Sequence, residues 1–73
     1  MARPLGERQE FMLRALRERG SWYGGCGYKW NSYSDTVAIF ESLVRRGLAR
    51  RIEHHAHLDG ARFRPAWTEY RPA

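Results

Sequence analysis

The sequence predicts an α+β fold in which two helices are followed by a C-terminal β-hairpin. Two amphipathic segments that each end at a glycine predict the helices, and Asp59-Gly60 between two apolar-rich segments predicts the hairpin. The 73 residues are about half the length of a typical domain, so we expect one domain spanning residues 1–73. A chain this short buries only about 60% of its unfolded surface, which argues against a spacious enclosed active site.

The first predicted helix covers residues 7–19. Its apolar residues recur at the spacing of one helix face, and charged residues occupy most of the remaining surface. Gly20 follows the last helical residue, at the position where glycine commonly ends a helix because it adopts positive φ freely. The predicted apolar face consists of Phe11, Met12, Ala15 and Leu16, with Leu13 at its edge.

Residues 20–31 connect the two helices and contain four glycines and four aromatic residues. Three glycines within positions 24–27 argue against a regular helix, because each costs about 1 kcal/mol relative to alanine. We therefore expect a tight loop whose aromatic side chains fold back over the core. The alternative is that they form an exposed surface for a protein partner, since Trp and Tyr are common at interface hot spots. The residues concerned are Trp22, Tyr23, Tyr28 and Trp30.

The second predicted helix covers residues 32–46. Ser32 followed by Asp35 resembles a capping box, so Ser32 is the expected N-cap. Gly47 is the expected stop, and Leu48 then lies where a Schellman motif would pack it against the last turn. The predicted apolar face is centred on Val37, Phe40 and Val44 and is extended by Ile39 and Leu43.

The hairpin is predicted from Asp59-Gly60, a sequence typical of a two-residue type I′ turn. With that loop the strands cover residues 51–58 and 61–68. Side chains then alternate between an apolar face, expected to cover the core, and a basic face, expected to point to solvent. The apolar face pairs Leu58 with Ala61, Ala56 with Phe63, His54 with Pro65 and Ile52 with Trp67; the basic face pairs His57 with Arg62, His55 with Arg64, Glu53 with Ala66 and Arg51 with Thr68.

Two further expectations concern the hairpin and the chain ends. Pro65 lacks a backbone N–H, so it must lie at an outward-facing backbone position or at a bulge of an edge strand. Residues 1–5 and 71–73 look like loose ends, because they continue no periodic pattern. The sequence contains no internal repeat that would indicate a second structural unit.

One segment, formed by the second helix and the turn after it, resembles a known family. Residues 36–48 read TVAIFESLVRRGL, which is similar to the recognition helix and following turn of small bacterial and phage winged helix-turn-helix regulators. In that family a pattern of the form L-x-x-(R/K)-G-L-(V/A) joins the recognition helix to the first strand of the wing. The resemblance implies a winged-helix fold over residues 7–70, with the hairpin as the wing. Residues 20–31 then take the place of the helix that normally precedes the recognition helix.

The chain is basic, with 13 Lys and Arg residues, 8 Asp and Glu residues and a formal net charge of +5. Residues 1–41 carry six basic and five acidic side chains, a net of +1, whereas residues 42–73 carry seven and three, a net of +4. Twelve of the 13 basic residues are Arg, whose planar fork suits phosphate and guanine edges. We therefore expect an anionic partner, and double-stranded DNA is the first candidate.

The resemblance implies that the second helix approaches the major groove while the wing contacts the phosphate backbone or the minor groove. Asp35 and Glu41 lie on the exposed side of that helix and repel phosphate, so we expect backbone contacts to outweigh base reading. The expected nucleic-acid-binding residues are Lys29, Asn31, Ser34, Ser42, Arg45, Arg46, Arg50, Arg51, His55, His57, Arg62 and Arg64.

The function expected from these residues is non-enzymatic DNA binding by a transcriptional regulator of the kind that phages and mobile elements encode. Its expected location is the cytoplasm, which is the host cytoplasm if a phage encodes it. The alternative is a winged-helix protein-interaction module that binds a host or partner protein through the four aromatic residues of the connection.

Other classes of function are not expected. The single cysteine, Cys26, cannot form an internal disulfide, and no pocket is expected around it that would support nucleophilic catalysis. Residues 53–57 (EHHAH) suggest zinc, but on a strand His54 points away from the other two histidines. No apolar run approaches the roughly 18–20 residues of a membrane span, and the first residues lack the apolar region of a signal peptide. We expect no catalytic residue, metal, cofactor, small-molecule substrate or membrane association.

Overall fold

The structure, a computed structural model, describes residues 4–73 as two helices followed by four antiparallel strands. The elements are α1 (Glu7–Arg19), α2 (Tyr33–Arg45), β1 (Ala49–His54), β2 (His57–Asp59), β3 (Arg62–Arg64) and β4 (Trp67–Pro72). Because β1 pairs with β4 and β2 pairs with β3, the four strands form one interrupted hairpin. The predicted α+β class and the predicted order of two helices and a hairpin are confirmed.

Helix α1 has the predicted bounds. Gly20 has a φ of 85°, and its backbone N–H donates to the carbonyl of Leu16 at 2.7 Å. A residue with a Cβ is strained at this φ, which is why glycine ends the helix. Met12, Leu13 and Leu16 are buried, whereas Phe11 is 54% exposed. The predicted apolar face is therefore wrong at one position, because Leu13 and not Phe11 contacts the core.

Helix α2 is capped at both ends as predicted. The Ser32 hydroxyl accepts a hydrogen bond from the backbone N–H of Asp35 at 3.2 Å. At the other end Gly47 has a φ of 77°, and the backbone N–H of Leu48 donates to the carbonyl of Leu43 at 3.0 Å. This is the expected Schellman arrangement, which satisfies a carbonyl that the helix leaves without a partner.

The buried side of α2 includes a polar residue that its periodicity did not predict. Of the three residues at the predicted centre of the apolar face, Phe40 is buried, whereas Val37 and Val44 are only half-buried. The Thr36 hydroxyl can be buried because it has hydrogen-bond partners inside the protein. It accepts a hydrogen bond from the Trp30 backbone N–H at 2.8 Å and donates one to the Ser32 carbonyl at 2.8 Å. The buried residues of α2 are Thr36, Ile39, Phe40 and Leu43, so the predicted face is rotated from the observed one.

The glycine-rich connection places one tryptophan inside the fold. Trp22 and Tyr70 of β4 exchange two backbone hydrogen bonds, each of 2.8 Å, so Trp22 adds a one-residue bridge beside β4. The Trp22 side chain is 2% exposed, and its indole N–H donates to the carbonyl of Tyr28 at 2.6 Å. Its ring also contacts Phe40. Residues 20–31 contain no regular helix, as their glycines predict.

The core lies where the two helices pack on one face of β1 and β4. Ala49 and Tyr70 are buried on that face, and the rings of Phe40 and Tyr70 stack with their centroids 5.2 Å apart. Burial raises the pKa of Tyr70, Glu41 adds to the increase, and Arg51 opposes it. Glu41 of α2 also forms an ion pair with Arg51 of β1. These contacts hold α2 over the base of the hairpin.

The register of the hairpin differs from the predicted one. Leu58 pairs with Phe63, so the two-residue loop is Gly60-Ala61 and not Asp59-Gly60. Every predicted pair is therefore shifted by two residues. Gly60 has a φ of 65°, and Ala61 has no positive φ, a pattern that fits a type II′ turn instead of the predicted type I′ turn. Both turns connect two strands closely, which is why the sequence alone did not distinguish them.

The predicted assignment of the hairpin faces is wrong as well. The helices pack against the face that carries Ala49 and Tyr70, and the predicted apolar face lies on the other side of the sheet. Each helix has 13 residues and is about 20 Å long, whereas one arm of the hairpin, residues 49–59, extends over about 36 Å. The helices therefore cannot cover the distal half. Of the residues predicted to face the core, Ile52 and His54 are half-buried, and Ala56, Leu58, Ala61, Phe63, Pro65 and Trp67 are exposed.

The strand pairing is interrupted at residues 55–56 and 65–66. Pro65 lies in this interruption, where its missing N–H removes no ladder hydrogen bond, whereas the sequence predicted an outward-facing backbone position or a bulge of an edge strand. The expectation of loose ends is wrong for the described part of both termini. Leu5 packs against the core, Arg71 and Pro72 belong to β4, and the Ala73 backbone N–H donates to a carbonyl at 3.2 Å.

Residues 1–3 of the predicted N-terminal end lie outside the described residues. Between residues 4 and 73, neither helix combines the length and the apolar composition that crossing a membrane requires.

Candidate nucleic-acid interface

The part of the hairpin beyond the core forms a free two-stranded ribbon. We call residues 57–64, which comprise β2, the loop and β3, the distal ribbon. Every residue from position 55 to position 67 is exposed. The molecule is accordingly 50 Å long and only 24 and 20 Å across. An isolated pair of strands is only marginally stable in water.

One face of the distal ribbon is basic. Because side chains alternate along a strand, the opposed pairs His57–Arg64 and Asp59–Arg62 share one face. The Arg64 guanidinium lies 3.8 Å from the Asp59 carboxylate, and both groups are exposed, so this ion pair contributes little stability. Within the distal ribbon, the predicted basic face keeps Arg62 and Arg64, and the observed register adds Asp59, which was expected in the loop.

The opposite face of the distal ribbon carries two large apolar side chains. Leu58 and Phe63 lie directly opposite each other, one residue from the strand ends that flank the loop. They are 73% and 64% exposed, more than any other large apolar residue that the structure describes. An uncovered apolar pair at the tip of a projecting ribbon is a candidate contact surface.

At the base of the hairpin, the outer face of β1 and β4 holds a buried carboxylate. Glu69 accepts a hydrogen bond from Arg71 Nε at 2.8 Å, and His54 Nε2 lies 2.9 Å from its other oxygen. The hydrogen bond from Arg71 holds the pKa of Glu69 below its usual value; burial opposes this shift and His54 assists it. Arg50 lies opposite Arg71 across the two strands, so two arginines meet on this face beside one carboxylate.

A row of rings marks the point where the hairpin leaves the body of the fold. The His54 ring stacks on Trp67, with centroids 3.9 Å apart and 7° between the planes. The ring of Tyr23 meets Trp67 edge-on, with centroids 5.6 Å apart. Both Tyr23 and Trp67 are 44% exposed. These contacts join the connection to the hairpin and leave part of two aromatic rings in solvent.

The exposed side of α2 has fewer available polar groups than the family resemblance implies. Glu41 is paired with Arg51, and this hydrogen bond raises the pKa of Arg51. Asn31 Nδ2 donates to the Asp35 carboxylate at 2.7 Å. The Ser42 hydroxyl donates to a carbonyl of α2 at 2.6 Å and accepts from a side chain of α1 at 2.9 Å. Several expected DNA contacts are thus engaged inside the protein, and the two acidic residues of α2 have partners.

The structure brings together only part of the expected nucleic-acid-binding set. His57, Arg62 and Arg64 lie together on the distal ribbon. Within residues 4–73, the side chains of Arg45, Arg50 and Arg62 form no ion pair or hydrogen bond. The other expected residues are distributed along the chain, and all of them are exposed except Ser42, which is half-buried. They lie before or at the start of α2 (Lys29, Asn31, Ser34), at its end (Arg45, Arg46), in β1 (Arg50, Arg51) and just after β1 (His55).

The four aromatic residues of the connection do not form one exposed surface. Trp22 is buried, Tyr28 and Trp30 are half-buried, and Tyr23 is exposed. The Tyr28 hydroxyl donates to a backbone carbonyl at 3.1 Å, and burial raises the pKa of Tyr28 to about 12. The ring of Phe11 lies edge-on to Trp30, with centroids 5.4 Å apart, which explains why Phe11 faces this loop and not the core. Of the four, Tyr23 is the residue best placed to contact a partner.

Sequence reasoning missed two groups of residues in this region. Leu58, Phe63 and Trp67 were expected in the core, although the length of the helices already limits how much of the hairpin they can cover. Glu69 and Arg71 were missed because the second strand was expected to end at residue 68. A charged residue in a strand pattern gives no sign that it is buried until its partners are known.

The described residues offer no evident coordination site. Within residues 4–73, no three His, Cys, Asp or Glu side chains come close enough together to hold a metal ion. Cys26 is a free, half-buried thiol whose Sγ lies 3.9 Å from the carbonyl oxygen of Ser21.

No protein-family model, no curated protein and no solved structure matches the chain. The candidate function therefore rests on the geometry and charge of the described residues.

Proposed function

We propose that the protein binds double-stranded DNA through the distal ribbon and the arginines near its base. The observation that carries this proposal is the exposed two-stranded ribbon, whose basic face presents Arg62 and Arg64. Two-stranded β-ribbons bind DNA in the major or the minor groove, and arginine binds phosphates and guanine edges. The net charge of +4 on residues 42–73 supplies the attraction to a polyanion.

The arginines at the base of the hairpin support the same proposal. Arg45 and Arg50 are exposed and have no ion-pair partner among residues 4–73, so their charge is available to an anion. Glu41 would repel phosphate, but its ion pair with Arg51 compensates that charge. The surface that includes the end of α2 and the start of β1 is therefore suited to phosphate contacts.

The binding proposed here depends more on the phosphate backbone than on bases. Ser34, Ala38 and Arg45 are exposed on α2, whereas Asn31 and Ser42 are engaged in hydrogen bonds within the protein. The winged-helix resemblance, together with the order of helix, bridge, helix and hairpin, favours a transcriptional regulator of the phage or mobile-element kind. We propose that role as the biological setting of the DNA binding.

The proposal is tested by fluorescence anisotropy with a labelled duplex. We expect affinity to fall steeply between about 50 and 200 mM salt, because phosphate contacts release counterions. Arg62→Ala with Arg64→Ala should weaken binding on all sequences and reduce the slope of log K against log salt by about two. The matched control is Arg14→Ala with Arg17→Ala, which removes the same charge from exposed positions of α1. Absence of binding to any duplex at about 50 mM salt would overturn the proposal.

A second candidate function, binding of a protein partner, is favoured by the exposed contact between Tyr23 and Trp67. Aromatic side chains with a partly exposed ring are common at interface hot spots. Tyr23→Ser should then abolish capture of the partner and leave duplex binding unchanged. Loss of duplex binding in this variant, with its fold intact, would instead assign Tyr23 to the DNA-binding surface.

A further inference from the structure

We infer that Leu58 and Phe63 form an apolar wedge that the distal ribbon inserts at a base step from the minor groove, bending the duplex. This inference rests on the proposed function and adds the way in which the ribbon meets DNA. The two side chains are opposed across the ribbon and are 73% and 64% exposed. Apolar wedges of this kind partly unstack a base step and bend DNA towards the major groove.

The two faces of the ribbon have complementary uses in such a contact. Leu58 and Phe63 occupy one face, and Arg62 and Arg64 alternate with Phe63 along β3 on the other. When the apolar pair enters between bases, the neighbouring arginines point to the opposite face, and their long side chains approach the flanking phosphates by extending round the edge of the narrow ribbon. The charge of those arginines complements DNA, and removal of the apolar pair from water offsets part of the cost of unstacking.

A second copy of this chain is a poorer occupant of the same apolar face. Even a large aromatic side chain buries only roughly 150–250 Å², and Leu58 and Phe63 are already partly covered, being 73% and 64% exposed. Two such side chains from each copy therefore fall short of the roughly 1,000 Å² that a specific interface needs. Face-to-face packing of two ribbons through these apolar residues would leave the arginines of β3 on the two outer surfaces, where they supply no attraction between the copies. Charge and area together favour a polyanion.

The wedge is tested with a short duplex that carries a fluorescence donor and an acceptor at its two ends. We expect the wild-type protein to raise energy transfer on binding, most on duplexes with a central flexible TA or CA step. Leu58→Ser with Phe63→Ser should abolish this change, weaken binding about tenfold and leave the salt slope unchanged. Leu58→Met with Phe63→Leu, which keeps apolar side chains, should restore the bending.

Two controls separate the wedge from other effects. Arg62→Ala should reduce the salt slope by about one and still permit bending of the duplex that it saturates. Phe11→Ser removes a side chain that is 54% exposed and lies outside the hairpin, and it should leave bending unchanged. Circular dichroism of each variant verifies its fold. We expect the fold of the Leu58 and Phe63 variants to persist, because both side chains are largely in solvent.

Each contrary outcome has a distinct meaning. Binding of the wild-type protein without a change in energy transfer overturns the wedge and leaves the proposed DNA binding intact. Unaltered bending by the Leu58→Ser, Phe63→Ser variant also overturns the wedge and leaves the proposed DNA binding intact. Absence of duplex binding by the wild-type protein overturns both proposals. Self-association that depends on Leu58 and Phe63, measured by sedimentation and accompanied by no bending, assigns the apolar face to a second copy and also overturns the wedge.

Discussion

Glu41 of α2 forms an ion pair with Arg51 of β1, so an acidic side chain of the helix and a basic side chain of the hairpin compensate each other. The sequence places both residues on surfaces expected to face DNA, where one would repel phosphate and the other would attract it. Their pairing removes the repulsion and also reduces the availability of Arg51. The cations left for an anionic partner therefore lie at the end of α2, at Arg50 and on the distal ribbon.

Glu41→Gln should strengthen duplex binding, because it removes the negative charge and releases Arg51. We expect about a two- to fivefold gain in affinity at low salt, measured by anisotropy, and a smaller gain at high salt. Glu18→Gln on α1 is the control, since it makes the same change in net charge at an exposed position. Equal gains in both variants would show that overall charge, and not the release of Arg51, is responsible.

Thr36 should be important for stability although it is polar. Its buried hydroxyl accepts a hydrogen bond from the Trp30 backbone N–H and donates one to the carbonyl of Ser32. The side chain therefore holds residues 20–31 against the start of α2. Thr36→Val leaves that N–H without a partner, and we expect it to lower the free energy of unfolding by about 1–3 kcal/mol in chemical denaturation. Thr68→Val, at a half-buried position of β4, should cost much less. Similar losses in the two variants would contradict this role.

Fluorescence should distinguish the three tryptophans. Trp22 is buried, Trp30 is half-buried and Trp67 is 44% exposed. Quenching by acrylamide should therefore reveal one readily accessible fraction, and Trp67→Phe should remove it and shift the emission to shorter wavelength. If the accessible fraction persists in this variant, the Trp22 or Trp30 ring is open to solvent, contrary to the structure.

Acidification should weaken the fold through Glu69. Because the folded pKa of Glu69 lies below its usual value of 4.5, its carboxylate contributes stability above that pH. The contribution is lost as the pH falls through the folded pKa. We expect the free energy of unfolding of Glu69→Gln to be lower near neutral pH and to fall less on acidification than that of the wild type. Glu53→Gln, at an exposed position, should retain the acid dependence; parallel curves for the wild type and Glu69→Gln would argue against this assignment.

Local signals in the sequence predicted the helices well. Gly20 and Gly47 mark the helix ends, and Ser32 caps α2, because each feature depends on residues within one turn of the chain. The glycines of the connection likewise predicted that no regular helix forms there. Contacts between residues distant in sequence could not be predicted in this way, because no local pattern indicates that Trp22 pairs with Tyr70.

The hairpin register could not be deduced because a shift of two residues preserves the alternation of faces. Asp59-Gly60 and Gly60-Ala61 each suit a two-residue turn, so neither pattern nor turn chemistry decided between them. Apolar content then placed Leu58 and Phe63 in the core, whereas the short helices leave them in solvent. The arginines of the candidate interface were identified from composition, and their partners, Glu41 for Arg51 and Asp59 for Arg64, required the tertiary structure.

DNA binding by the hairpin is tested most directly by titrating the isotope-labelled protein with an unlabelled duplex and following each backbone amide by NMR. We expect the largest shifts at residues 57–64, smaller shifts around Arg45 and Arg50, and little change along α1. All shifts should diminish as salt is raised from about 50 to 200 mM, because the contacts are mainly with phosphates. Shifts confined to α1 or to the connection, or none at the lower salt concentration, would contradict the proposed role of the distal ribbon.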